Sequence, residues 1–113
     1  MNLTEARILL KELMKKHNIK ARTYFGYYDV LGTCKYCSLD KYPRIFIDKH
    51  LIEQGTDEEV KDTMLHEIAH AMRPSEVGHP IAWRIRCLLI GCRPFASRAV
   101  NINYNIKKGV MKK

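Results

Sequence analysis

Thr56-Asp57-Glu58-Glu59-Val60-Lys61-Asp62-Thr63-Met64-Leu65-His66-Glu67-Ile68-Ala69-His70-Ala71-Met72-Arg73-Pro74 opens with a helix start and closes with a helix stop. Thr56 and Glu59 have the spacing of a capping box, in which each side chain bonds the other residue's backbone N–H. Asp57 and Glu58 add negative charge to the first turn, where the helix dipole is positive. Pro74 has no N–H to give, so the helix ends before it. Val60, Met64, Ile68, Ala71 and Met72 recur at helical spacing and form an apolar side, leaving His66 and His70 for a different one.

At ~100° per residue, positions four apart lie about 40° apart around the axis and one turn along it. Both imidazoles of His66-Glu67-Ile68-Ala69-His70 can therefore reach one ion, which is the physical content of the HExxH pattern. A catalytic zinc takes three protein ligands and keeps one position open, so a third donor is expected from elsewhere in the chain. His79 is the leading candidate, since Pro74 and Gly78 allow the chain to fold back over nine residues; Glu76 is the alternative. Glu67 is positioned to act as general base and proton carrier. His17 and His50 read as surface residues. Three nitrogens do not select zinc uniquely, and manganese or iron would also be held.

Working outward, Asn2 and Glu5 cap a first helix whose apolar positions are Leu3, Ala6, Leu10, Leu13 and Met14, with Asn18 at its left-handed stop. The Tyr, Phe, Val and Thr content between Lys20 and Cys37 predicts two short strands that turn on each other near Asp29 to Gly32. Arg44 to Asp48 is a third strand, read as a sheet edge where an extended peptide could pair with it, with an interior strand as the plainer reading. After the His-bearing helix, Pro80 starts another, with Ile81, Ile85, Leu88 and Leu89 as its apolar stripe and Gly91 as its end. Trp83, one turn after His79, either packs on that imidazole or belongs to the core. Val100, Ile102, Tyr104 and Ile106 alternate with asparagines, a strand pattern, and a basic tail follows.

The chain of 113 residues suits one domain, and its 46% apolar and 28% charged residues are those of a globular protein. No apolar run approaches the ~20 residues of a membrane span. Glu5, Lys11 and Glu12 interrupt the N-terminal apolar positions, so no export signal is expected and the cytoplasm is the expected compartment. Cys34, Cys37, Cys87 and Cys92 are accordingly read first as free thiols, with a second, structural zinc held by all four as the other reading. The net charge of +8 lies wholly after Glu76: no Asp or Glu follows, while Arg84, Arg86, Arg93, Arg98, Lys107, Lys108, Lys112 and Lys113 do. A block of one sign attracts polyanions, and DNA is the expected partner through Arg84, Arg86, Arg93, Arg98, Lys107 and Lys108; a solvated basic face is the plainer reading. Tyr24, Tyr27 and Tyr28 beside Arg22 read mainly as hairpin aromatics facing a helix, and otherwise as a stacking surface for single-stranded bases.

The stretch HEIAHAMRPSEVGHPIAW, followed by RIRCLLIG, resembles the SprT-like metallopeptidases, and the likeness extends weakly over residues 1–95. The matching positions are His66, Glu67, His70, Gly78, His79 and Trp83. The resemblance implies one catalytic zinc on His66, His70 and His79, Glu67 as the catalytic residue, and hydrolysis of proteins associated with or crosslinked to DNA. Many relatives carry a C-terminal zinc ribbon that this chain does not show, and compact versions of this kind look like phage or bacterial products. The expected fold is α+β and zincin-like: a small, mostly antiparallel sheet packed on the HExxH helix, with flanking N-terminal and C-terminal helices, in one domain over 1–106 and a basic tail over 107–113. A monomer acting on protein or peptide is expected. The competing reading is a catalytically inactive, zinc-stabilised DNA-binding or interaction module.

Overall fold

Asn2 accepts from the Glu5 N–H at 2.8 Å while Glu5 reaches back to the Asn2 N–H at 2.9 Å, so the first capping box forms. In the structure, a computed structural model that describes residues 1–93, this opens α1 (Leu3–Lys16), and Asn18 adopts φ 54° beyond its end. Then follow β1 (Arg22–Gly26), β2 (Gly32–Lys35), β3 (Arg44–Asp48), α2 (Lys49–Gln54), α3 (Asp57–Met72) and α4 (Ile81–Ile90). The expected strand at Val100 to Ile106, the tail, and Arg98, Lys107 and Lys108 lie outside the described residues. No described helix is long and apolar enough to cross a membrane.

The α+β class holds, but the sheet is mixed rather than mostly antiparallel. Its order is β1-β3-β2, with β1 parallel to β3 and β2 antiparallel to it. The expected hairpin of β1 on β2 does not form, because β3 lies between them. Ile45 and Ile47 of β3 are fully buried, and a strand that buries its apolar residues so completely gains most from the central place. The expectation of β3 at the edge is overturned by the same fact, and β2 is the edge strand nearest α3. The segment between β1 and β2 is tied to the end of β3: the Tyr28 N–H donates to the Asp48 carboxylate at 2.9 Å, and the Asp48 N–H donates to the Leu31 carbonyl at 2.9 Å. Asp48 is itself fully buried.

A short helix, α2, was not expected from the sequence; it occupies Lys49–Gln54 between β3 and the second capping box. That box forms, with Thr56 and Glu59 each accepting from the other's N–H at 3.1 Å. α3 is the hub, touching α1, α2, α4, β2 and β3. Val60, Met64, Ile68 and Ala71 are buried as expected, joined by Leu65, Ala69, Leu10 of α1 and Leu51 of α2. On α4 the expected stripe faces out: Ile81, Ile85, Leu88 and Leu89 are exposed among the described residues, and Trp83 and Cys87 are buried instead. A helix that is apolar around much of its circumference has more than one face to bury. The one carrying the indole, with its large contact area, meets α3.

Candidate metal centre

His66 and His70 stand one above the other in the second half of α3, with ring centroids 5.2 Å apart. Beyond the helix end at Met72, the chain turns through Gly78, whose φ of 73° is a left-handed conformation that glycine adopts without a Cβ clash. This return brings His79 over the other two imidazoles, at centroid distances of 5.2 Å and 4.9 Å. The donor nitrogens of the three all fall within 4.8 Å of one another. His66 Nε2 and His79 Nε2 are 3.3 Å apart. Two nitrogens each ~2.0–2.1 Å from a shared tetrahedral ion would stand about 3.3–3.4 Å apart, so the donor set fits a divalent ion such as zinc.

The imidazoles are prepared chemically as well. Burial lowers the pKa of His66 to about 4, assisted by His70 and His79; burial and His79 do the same for His70. Both rings are thus neutral at physiological pH, the form that offers a lone pair to a metal. Trp83 is fully buried and forms the floor of the site: its ring stacks on His70 at 5.0 Å and 22° and meets His66 and His79 edgewise at 4.6 and 4.4 Å.

Glu67 turns from the imidazoles toward the sheet and is buried, only 4% exposed. Loss of solvation alone raises its pKa to about 8. Gly32, at the start of β2, lies against it so closely that a Cβ there would come within 3.2 Å of the carboxylate and 3.0 Å of Thr63. Glu67, the histidines and the β2 residues Gly32, Thr33 and Cys34 line one cleft of about 300 Å³. The Cys34 thiol is pushed up to about 12 by burial and by Glu67.

Glu76, the alternative third donor, lines the same cleft but is bound to Arg86, whose guanidinium grips the Glu76 carboxylate and donates to the Ala69 carbonyl at 3.3 Å. Arg86, expected on a nucleic-acid face, is therefore drawn inward to hold the 73–79 segment against α3. Arg84 and Arg93 are exposed, and the Arg93 backbone N–H donates to Asp62 at 3.0 Å. His17 and His50 are half-buried rather than on the surface, and neither joins the cluster; His50 bonds Asp48 at 3.0 Å. The four cysteines do not assemble: Cys34 lies on β2, Cys37 is exposed, and Cys87 and Cys92 are buried at the end of α4. Among the described residues the three histidines form the one group of three or more such donors close enough to hold an ion.

Gly32 and Arg86 are the residues whose part in the site the sequence concealed. Gly32 reads as turn punctuation and Arg86 as one cation in a basic block; only the approach of β2 and of the 73–79 segment to α3 gives either its task.

No protein-family model matches the chain, and no curated protein matches it in sequence. Among solved structures, it shares its fold with the metallopeptidase zymogen of Methanocaldococcus jannaschii jannalysin. That match has a TM-score of 0.59 and 14% identity, over 96% of this chain and 97% of that one.

Proposed function

We propose that the protein is a zinc-dependent, zincin-like metallopeptidase of the SprT-like type, cleaving peptide bonds in proteins associated with DNA. The observation that carries this is the convergence of His66, His70 and His79, two of their nitrogens 3.3 Å apart, in a cleft shared with a buried Glu67. Likeness of fold to a metallopeptidase zymogen supports it. A zinc ion held there would polarise the scissile carbonyl and lower the pKa of water at the open position.

The rest of the chemistry falls to the chain. Glu67 takes the proton from the attacking water and delivers it to the leaving amine, the general base and acid in turn. Its buried setting raises proton affinity, which favours the acceptor role, and a divalent cation held by the histidines would lower that pKa and favour the ionised base. His66 and His70 stay neutral, and all three rings keep their orientation on the Trp83 floor. The edge of β2, unpaired among the described residues and beside Glu67 on the cleft wall, is where an extended substrate would add as a strand, main chain to main chain. The DNA-associated substrate draws support from the acid-free stretch after Glu76.

The test is cleavage of a DNA-bound protein by the zinc-loaded chain and by its Glu67→Gln variant. The proposal expects equal zinc content and a rate lower by ~100-fold or more in the variant, the range for loss of a general base. Equal rates would remove Glu67 from the mechanism. Cleavage by neither, with zinc still raising thermal stability, would leave a structural ion in an interaction module.

A further inference from the structure

The sheet has a second face, turned away from Glu67, and of its residues only Thr33, at the β2 border, also lines the metal cleft. Register sets them in two rows. Arg22, Arg44 and Lys35 align across β1, β3 and β2, and Tyr24, Phe46 and Thr33 align two positions further on. Residues two apart on a strand share a face, and the contacts bear this out. Tyr24 stacks on Phe46 at 5.0 Å and 18°, the Lys35 ammonium lies 5.4 Å from the same ring, and Tyr28 meets its edge at 5.7 Å. Arg22, Lys35 and Tyr24 are exposed. At the β1 border an open groove of about 470 Å³ runs on to α1, where Arg7 and Lys11 line it opposite Tyr24 and Tyr28.

Like charges opposite each other in neighbouring strands destabilise a sheet. Here three cations share one row, and Asp40, 3.3 Å from Arg44, is the acid that answers them; Asp48, nearest in register, is fully buried and engaged by Tyr28 and His50. The row is complementary to a polyanion. The exposed tyrosine beside it narrows the choice, because a ring offers a base a stacking surface that a duplex, with its bases already stacked, cannot use. We propose that this face binds single-stranded nucleic acid, the backbone phosphates on Arg22, Arg44 and Lys35 and a base on Tyr24, with the strand continuing toward Arg7 and Lys11. This deepens the nucleic-acid partner named above and is independent of the hydrolytic reading, since the two faces of the sheet are distinct.

The experiment is fluorescence anisotropy of a labelled oligothymidylate with the full chain, titrated at several salt concentrations and with no substrate protein present. Tyr24→Ala should weaken binding about tenfold, the scale of one stacked base, while Tyr24→Phe retains it. Arg22→Ala and Lys35→Ala, both at exposed positions and so tolerated by the fold, should each lower the slope of log affinity against log salt by about 0.7. A duplex of equal length should bind more weakly. Undiminished affinity and slope in these variants would overturn the proposal, as would a duplex binding equally well. Loss of binding confined to a chain with Lys107, Lys108, Lys112 and Lys113 all changed to alanine would overturn it too, moving the contact to the tail. Because cleavage is never read, failure here leaves the Glu67 test untouched.

Discussion

Glu67 and Gly32 set the terms at the scale of single residues. A carboxylate whose pKa is raised to about 8 from an ordinary 4.5 holds its proton more tightly in the folded than in the unfolded chain. Stability therefore falls as pH climbs between those two values. His66 and His70 act in the opposite sense: with pKa values lowered from 6.5 to about 4, they bind protons better when unfolded, so stability rises with pH across that interval. Two rising contributions outweigh one falling contribution until the histidines are deprotonated. The metal-free protein should thus be most stable near pH 6.5 and lose stability toward pH 8, measured by urea midpoint against pH. Glu67→Gln should flatten the alkaline limb; an unchanged limb would show that Glu67 is not its source. Gly32 has the companion role of leaving space for that carboxylate. Gly32→Ala should keep full zinc content and lower kcat about tenfold or more, because small displacements of a catalytic group are expensive. An unaltered kcat would mean that the Gly32 contact does not position Glu67.

At the scale of elements, α3 and its caps were legible because every signal lies within a few residues. Thr56 and Glu59, the apolar spacing, and Pro74 are all local. The pairing order of the sheet was not, since it depends on which strand buries more and on Asp48 capturing the Tyr28 and Leu31 backbone, contacts between residues far apart in the chain. α4 shows the same limit: its start and its Gly91 stop could be read, but the choice between the Trp83–Cys87 face and the Ile81–Leu88 face was made by the imidazoles that Trp83 meets. The third histidine of the cluster could be named from the sequence, whereas its brace could not. Arg86 fastens the segment bearing His79 through Glu76 and the Ala69 carbonyl. Arg86→Ala should weaken zinc binding about tenfold in competition with a chromophoric chelator, the usual scale for residues that orient ligands. Arg86→Lys should restore it only in part, since an ammonium cannot make the forked contact. Affinity equal to the parent in both variants would leave His79 positioned by the turn alone.

For the molecule as a whole, the site lies where α3, β2 and the start of α4 meet, so an ion there joins elements that are otherwise held by one apolar core. Binding only the folded form, zinc at a thousandfold over its dissociation constant adds about 4 kcal/mol to stability. Chelation should lower the thermal midpoint of the parent by several degrees and leave His79→Ala unmoved; equal shifts in both would place the stabilising ion elsewhere. All of this depends on three nitrogen donors around one ion, and zinc K-edge absorption of the loaded full chain reads that shell directly. The expected shell is three imidazole nitrogens and one solvent oxygen at ~2.0–2.1 Å, with no sulfur. Two imidazoles, or a sulfur at ~2.3 Å from a thiol such as Cys34, would contradict it.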